Sequence, residues 1–217
     1  MNRRALLVAG TSAFALIVFA GGAYLLGPNK PRQASGTSQT ETVALLVRDY
    51  SPILGPASAP VTIVEFFDPS CEACRLYYPV VKRIMAAHPG KVRVVLRYAA
   101  FHVGSAEAIR ILELARRQEL FQPVLEALFD EQEVWASDEA PQTEKAWEIA
   151  AKAGMDMDRA KRDPDLRAIR VALHQDAADI AALGVNRTPT FFVNGKQLTD
   201  FGEQQLADLV KSEVEAR

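Results

Sequence analysis

The chain lacks most of the residues from which metal, haem and nucleic-acid sites are built. Its 217 residues include two cysteines, three histidines and four methionines, and the formal net charge is −2. Without a basic patch there is no electrostatic footprint for nucleic acid. The histidines show no paired spacing of zinc ligands, and haem attachment is excluded because Arg75, not histidine, follows Cys74. The two cysteines are therefore the main candidates for reactive residues.

The first 27 residues predict a segment that takes the rest of the chain across the cytoplasmic membrane. Behind Arg3 and Arg4, the run Ala5–Gly27 has no charged side chain, and about 20 apolar residues suffice to span a bilayer as a helix. The arginines favour the cytoplasmic side, so the remainder is expected in the periplasm. We favour an uncleaved single-pass anchor, because the run is longer than the roughly 7–15 apolar residues of a signal peptide. Cleavage after Ala20 is the alternative and would leave a soluble periplasmic protein.

Residues 28–42 predict a flexible tether. Their sequence, PNKPRQASGTSQTET, is rich in proline, serine, threonine and glutamine and has almost no apolar residues to bury. The tether contains no heptad pattern, so the protein is expected to be a monomer.

Residues 43–103 predict the first half of an α/β domain. Val43–Tyr50 is interpreted as an edge strand, and Val61–Phe67, which is short, β-branched and aromatic, as a buried strand. An amphipathic helix follows Cys71, and Val92–Tyr98 is a second strand. Strand, helix and strand within about forty residues form a βαβ unit, in which the two strands are parallel.

Residues 104–183 predict a helical insertion and a connecting helix, because amphipathic stretches alternate there with breaks. Residues 184–217 predict the second half of the domain. It consists of the strand Thr190–Val193, a two-residue hairpin at Asn194-Gly195 and a closing helix over Gly202–Val214. This order of elements predicts an α/β thioredoxin-like fold with an inserted helical domain, preceded by the N-terminal transmembrane or signal segment.

The cysteines form the motif Cys71-Glu72-Ala73-Cys74 at the start of the predicted helix. Unpaired backbone N–H groups and the helix dipole stabilise an anion there, which lowers the pKa of the first cysteine. Cys71 is therefore predicted to be the attacking thiolate and Cys74 the shielded resolving thiol. A disulfide across so short a loop restrains the unfolded chain little, so we expect a redox-active pair without a metal or other cofactor. A zinc site, which would need two further ligands, and an inert structural bridge are the remaining alternatives.

The segment VTIVEFFDPSCEAC resembles the active-site region of the DsbA-like family of bacterial disulfide oxidoreductases, and the similarity extends from about Val61 to the C-terminus. The resemblance implies a buried acid at Glu65 and a basic partner for it at Arg97. It also implies a cis-proline loop at Thr188-Pro189 that faces the cysteines and binds extended substrate. Exported cysteine-containing proteins are the implied substrates, and the implied redox partner is a membrane protein, either a DsbB-like oxidant or a DsbD-like reductant.

Acidic residues near the cysteines are expected to tune their chemistry. Glu65, inside an apolar strand, is either half of a structural ion pair or a proton relay for Cys74, and we favour the relay. Between the cysteines, Glu72 and Ala73 stand where the strongest oxidants of the DsbA-like family have proline and histidine. The charge of Glu72 competes with the Cys71 thiolate for the same positive potential, so we expect a milder oxidant.

The predicted function is an exported thiol–disulfide oxidoreductase that introduces or exchanges disulfides in extracytoplasmic proteins. One alternative is a reductase or isomerase that a membrane electron donor keeps reduced, so the direction of electron flow stays open. Another is a tethered Cu(I)-binding metallochaperone module, although no methionine cluster accompanies its thiols. His102 is expected to be a surface or capping residue and is assigned no role.

Overall fold

The computed structural model describes residues 39–163 and 166–217. The predicted membrane segment, residues 1–27, and the predicted tether as far as residue 38 lie outside the described residues. Among the helices that are described, none is both long enough and apolar enough to cross a membrane.

The described residues form a mixed α/β domain. Its strands are β1 (Ile53–Leu54), β2 (Val61–Phe67), β3 (Val92–Tyr98), β4 (Thr190–Val193) and β5 (Lys196–Gln197). Its helices are α1 (Gln39–Leu46), α2 (Glu72–Ala87), α3 (Ser105–Arg116), α4 (Phe121–Asp130), α5 (Gln132–Trp135), α6 (Thr143–Lys152), α7 (Met157–Lys161), α8 (Leu166–Leu183) and α9 (Glu203–Glu215).

The strands form one sheet in the order β1-β3-β2-β4-β5. Strands β2 and β3 are parallel, with Val61 opposite Val92, so α2 is the crossover of the predicted βαβ unit. Strand β4 is antiparallel to β2, and β5 is antiparallel to β4. Asn194 and Gly195, between β4 and β5, have φ angles of 47° and 86°. Two positive φ angles are what a type I′ turn requires, and the predicted hairpin is confirmed.

Apolar side chains cover both faces of the sheet, because the central strands are apolar at successive positions. On one face, Ile63 belongs to a cluster formed with α2, α9 and the helices of the insertion. On the other face, Val64 packs with Leu46 of α1 and Ile180 of α8. Since β2 and β3 are parallel neighbours, their carboxyl ends meet at one edge of the sheet. The loop that leads to the cysteine motif therefore lies beside the loop that leads to α3.

The beginning of the domain differs from the prediction. Gln39–Leu46 is the helix α1, so the edge strand predicted over Val43–Tyr50 is wrong, and residues 39–42 are helical rather than part of a tether. The edge strand is Ile53–Leu54, antiparallel to β3. A short apolar run fits a strand and a helix equally well. Packing of Leu46, which is 2% exposed, against the sheet is a tertiary contact that the run itself does not reveal.

Helices α3 to α8 follow one another between β3 and β4, over the stretch predicted to be a helical insertion with its connecting helix. Two of them, α5 and α7, are short helices that the amphipathic stretches of the sequence do not indicate. They have four and five residues, which is too short for a helical period to emerge from the sequence.

Candidate active site at Cys71 and Cys74

Cys71 and Cys74 lie at the start of α2 as free thiols. Cys71 is the N-cap residue, and its carbonyl oxygen accepts a hydrogen bond from the N–H of Arg75 at 3.2 Å. Its own N–H donates to the carbonyl oxygen of Asp68 at 3.0 Å, which closes the turn between β2 and the helix. Cys71 is 7% exposed and Cys74 only 1%. A reactant from solvent therefore meets Cys71 first.

Thr188 and Pro189 lie opposite the cysteines, at the start of β4. The carbonyl oxygen of Thr188 is 3.4 Å from Cys71 Sγ, although the two residues are 117 positions apart. The Thr188–Pro189 peptide bond is cis, as the resemblance implies. The antiparallel pairing of β4 with β2 brings this loop to the cysteine motif.

The thiol pKa values of the two cysteines shift in opposite directions. The pKa of Cys71 falls from 9.0 to about 5, mainly through a hydrogen bond with the Cys74 thiol. Burial opposes this shift, while hydrogen bonds from the Thr188 side chain and from the N–H groups of Cys74 and Ala73 add to it. Burial raises the pKa of Cys74 well above its ordinary value, and the hydrogen bond with Cys71 and the charge of Glu65 raise it further. At neutral pH, Cys71 is a thiolate and Cys74 a thiol, which supports the predicted roles.

Glu65 lies beneath the cysteines on the sheet face that α2 covers. It is 4% exposed, and among the described residues no side chain pairs with it or donates a hydrogen bond to it. Burial raises its pKa from 4.5 to about 8, and the negative charge of Cys71 contributes to the rise. Glu65 is therefore protonated at neutral pH and has a proton to give.

Arg97 does not pair with Glu65, and that prediction is wrong. In the parallel ladder Glu65 is opposite Leu96, whereas Arg97 is opposite Phe66. Since successive side chains of a strand point to opposite faces, Arg97 lies on the face of the sheet away from the cysteines. It is fully buried there and donates to two carboxylates of α8, with Nη2 2.7 Å from Asp176 Oδ1 and 2.6 Å from Asp179 Oδ2.

This buried ion network joins α8 and the segment after α1 to β3. Arg48 donates to Asp179 at 2.6 Å, and the Tyr50 hydroxyl donates to Asp176 at 2.5 Å. Asp176 also accepts the N–H of Tyr98 at 2.7 Å. In the sequence, Asp176 and Asp179 are separated by one helical turn, which places them on one face of a helix. That spacing was the available signal for a buried partner of Arg97, which is thus a structural residue and not part of the active site.

A buried carboxylate that the sequence analysis missed organises the loop before Cys71. Asp68 is fully buried. Its Oδ1 accepts from the N–H of Ser70 at 2.8 Å and from Ser105 Oγ at 2.5 Å. Its Oδ2 accepts from the N–H groups of Phe101 and His102 at 2.8 and 3.1 Å and lies 2.9 Å from His102 Nδ1. The position of Asp68, an acidic residue directly after a buried strand, was the sequence signal that could have indicated this role. His102, which was expected to be a surface or capping residue, is partly exposed and is held by Asp68.

Gln132, at the start of α5, holds the other side of the same loop. Its Nε2 donates to the carbonyl oxygens of Pro69 and Cys71 at 2.8 and 3.1 Å. Its Oε1 accepts from Arg75 Nε at 3.1 Å. Gln132 is 4% exposed, so the helical insertion contributes a buried side chain to the active-site loop. Because α5 is absent from the prediction, nothing in the sequence pointed to this residue.

The two residues between the cysteines act differently. The Glu72 side chain is 76% exposed, and its carboxylate is 3.4 Å from Arg75 Nη2, which offsets part of its charge. Ala73 contributes only its backbone N–H, which favours the Cys71 thiolate. Tuning of the pair by Glu72 stays a prediction, with a smaller expected effect than an unpaired carboxylate would have.

A cavity of about 560 Å³ opens beside Cys71. Polar and charged side chains of α2, α5 and the loops before α2, before α3 and after α5 line it, among them Cys71, Arg75, His102, Gln132, Glu133 and Asp138. Within the described part of the chain, no three histidine, cysteine, aspartate or glutamate side chains are grouped so that they could hold a metal ion. The arrangement is suited to thiol chemistry with a substrate that approaches Cys71 through this opening.

Known proteins of two kinds are similar to this chain. The chain is 32% identical over 146 residues to a Na⁺/H⁺ antiporter, NhaA, of Herminiimonas arsenicoxydans, a match that covers 67% of this chain. The chain spans only 22–29% of the length of the curated relatives of this kind that it matches. A thioredoxin-like oxidoreductase from Silicibacter pomeroyi has a similar structure, with 29% identity, a TM-score of 0.68 and coverage of 80% of this chain and 98% of that one.

A second solved structure shows the fold, and a family model shows the family. Alpha-DsbA1 of Wolbachia pipientis shares the fold at a TM-score of 0.68, with 18% identity over 81% of this chain and 98% of that one. The family model described as thioredoxin matches residues 48–212. The predicted thioredoxin-like fold and the predicted family are confirmed: the chain belongs to the thioredoxin family, and its fold is DsbA-like.

Proposed function

We propose that the protein donates its Cys71–Cys74 disulfide to cysteine-containing proteins outside the cytoplasm. The observation that carries the proposal is the asymmetry of the pair. Cys71 has a pKa of about 5 and borders an open cavity, whereas Cys74 is buried and its pKa is raised. At pH 7 the thiolate fraction of such a first cysteine is about a hundred times that of a thiol with the ordinary pKa of 9.0.

The transfer takes two exchange steps. A substrate thiolate attacks Cys71 Sγ of the oxidised pair, the Cys71–Cys74 bond breaks, and its electron pair leaves on Cys74. Glu65, which is protonated at neutral pH, gives its proton to that sulfur. A second substrate thiolate then attacks the substrate sulfur of the mixed disulfide, and Cys71 leaves as a thiolate. The substrate loses two electrons to the enzyme, whose pair ends reduced.

The low pKa of Cys71 favours this direction of electron flow. A stabilised thiolate stabilises the reduced pair, and a pair that is stable when reduced is a strong acceptor of electrons. The protein would then depend on a membrane oxidant of the DsbB kind to restore its disulfide. Residues 1–27 would anchor it with the described domain in the periplasm, or would be removed to leave the domain free there.

The equilibrium of the Cys71–Cys74 pair with glutathione, measured on the 217-residue chain in detergent, tests the proposal. A reduction potential more oxidising than about −200 mV supports the oxidase, whereas one near about −270 mV would favour the reductase instead. The same preparation should oxidise a reduced, unfolded protein with two cysteines in a single turnover. Cys71→Ala should abolish this transfer, and Cys74→Ala should trap the mixed disulfide. If the wild-type chain does not oxidise the substrate, the proposed function is contradicted, whatever reduction potential is measured for the cysteine pair.

A further inference from the structure

His102 is fixed in place by Asp68. Two groups of His102, its backbone N–H and its ring Nδ1, lie 3.1 and 2.9 Å from the same carboxylate oxygen, Asp68 Oδ2. Asp68 is fully buried and is itself held by Ser70 and Ser105. The imidazole ring therefore has a defined orientation, with Nδ1 turned to Asp68. Its second nitrogen, Nε2, has no hydrogen-bond partner among the described residues.

The same ring faces the cavity of Cys71. His102 and Cys71 line this opening of about 560 Å³ together, and the His102 side chain is 30% exposed. The loops that carry them are neighbours because β2 and β3 are parallel and end at the same edge of the sheet. The reactive thiolate and a titratable ring therefore lie on the walls of one partly solvated space.

The charges around His102 favour its protonated form. Partial burial lowers the pKa of His102, but the hydrogen bond and the charge of Asp68 outweigh it, and the negative charges of Cys71 and Asp138 add to the rise. Arg75, a cation of the same cavity, is occupied by Glu72 at 3.4 Å and Glu133 at 3.5 Å. The charged groups that face His102 directly or across the cavity are Asp68, Cys71, Asp138, Glu72, Arg75 and Glu133.

We propose that His102, held by Asp68, is a positioning residue whose imidazolium faces the Cys71 thiolate and favours the reduced form of the pair. The proposal rests on the proposed function and deepens it. The motif has no cation between its cysteines, and the loop before α3 supplies one from outside the motif. Because coupling between two sites is reciprocal, the thiolate must stabilise the imidazolium by the same amount. Oxidation of the pair removes the thiolate and should make His102 easier to deprotonate.

Proton NMR titration of the histidine Cε1–H signals in the reduced and oxidised 217-residue chain tests the coupling. With three histidines in the sequence, the spectrum is simple. The pKa of His102 should fall by about half a unit to one unit on oxidation, the size expected for a charge pair across solvated space. His174, exposed on α8 and not part of the cavity lining, provides the reference signal in the same spectrum. A His102 titration that is identical in the two redox states overturns the proposal.

The variant His102→Asn gives the reciprocal measurement, since the asparagine amide can still donate to Asp68 but carries no charge. At pH 6 its equilibrium with glutathione should shift about three- to tenfold towards the disulfide, the same factor as the His102 shift. The difference should shrink towards pH 9 as the wild-type ring loses its proton. His174→Asn is the matched control and should behave as wild type at both pH values. An equal difference at pH 6 and pH 9 would assign His102 a purely structural role.

Failure of the coupling and failure of the proposed function are separable, because the NMR titration requires no substrate. A wild-type chain that oxidises its substrate but shows no shift of His102 retains the proposed function and loses this inference. A chain that shows the shift but transfers no disulfide retains the coupling and loses the proposed function.

Discussion

Replacement of Glu65 by glutamine should change how the stability of the protein depends on pH. Burial raises the pKa of Glu65 from 4.5 to about 8 in the folded protein. In the unfolded chain the same carboxyl group titrates near its ordinary value. Between these two pH values the folded state therefore keeps a proton that the unfolded state has released. The free energy of unfolding should fall as pH rises through this window, and Glu65→Gln, which cannot ionise, should remove the fall.

The size of the effect follows from the shift. One pKa unit corresponds to roughly 1.4 kcal/mol. A rise from 4.5 to about 8 therefore gives a loss on the order of 3 kcal/mol at pH 7 and about 5 kcal/mol above pH 9. At pH 4 the wild-type carboxyl is protonated in both states, and the neutral amide differs little from it. Glu65→Gln should thus match the wild type at pH 4 and exceed its stability by several kcal/mol at pH 9.

Urea unfolding of the reduced protein at pH 4, 7 and 9 measures this difference. Since the Cys71 thiolate also raises the pKa of Glu65, the difference should be smaller in the oxidised protein, which has no thiolate. Glu139→Gln, an exposed carboxylate in the loop before α6, is the control and should leave the pH dependence unchanged. If Glu65→Gln keeps the wild-type slope between pH 4 and pH 9, Glu65 is not protonated in the folded state. It would then have no proton to pass to the resolving cysteine.

Three further substitutions test other parts of the site and its support. Arg97→Met leaves Asp176 buried without a cation and Asp179 with Arg48 alone, and it should lower the free energy of unfolding by about 3–5 kcal/mol in urea. Arg48→Met, whose side chain is 29% exposed, should lower it less, and equal losses would contradict the buried network. Gln132→Ala frees two carbonyl oxygens of the active-site loop and should lower the free energy of unfolding by about 1–3 kcal/mol; an unchanged midpoint of thermal unfolding would refute this role. Glu72→His should lower the pKa of Cys71 by less than about one unit, because the carboxylate it replaces is exposed and paired. Thiolate absorbance across pH measures that shift, and an unchanged pKa would exclude tuning by Glu72.

The features that the sequence predicts correctly are those that residues close together in the chain specify. Strands β2 and β3 are short, β-branched runs between turn residues, and the dipeptide Asn194-Gly195 specifies its hairpin without reference to the rest of the chain. The cysteine motif directly follows a strand and begins a helix, so its position in the fold is local as well. The apolar run around Leu46 lacks such a signal, because only packing against the sheet selects helix over strand.

Contacts between distant segments were not predictable in the same way. The expected pairing of Glu65 with Arg97 would have required both side chains on one face of the sheet. A difference of one residue in strand register moves a side chain to the opposite face. Register is set by the packing of the whole sheet, so the sequence of either strand alone does not determine it. Asp68 and His102 meet because the loops after two parallel strands share an edge, and neither loop contains a pattern that indicates the other.

Alkylation of the reduced chain across pH, with mass spectrometry to locate the label, tests most directly the claim that the cysteine pair is asymmetric. Cys71 should be labelled with a midpoint near pH 5. Cys74, buried and with a raised pKa, should stay unlabelled throughout the range in which the protein remains folded. Labelling of Cys74 before Cys71, or a Cys71 midpoint near its ordinary value of 9.0, would contradict the assignment of Cys71 as the attacking thiolate.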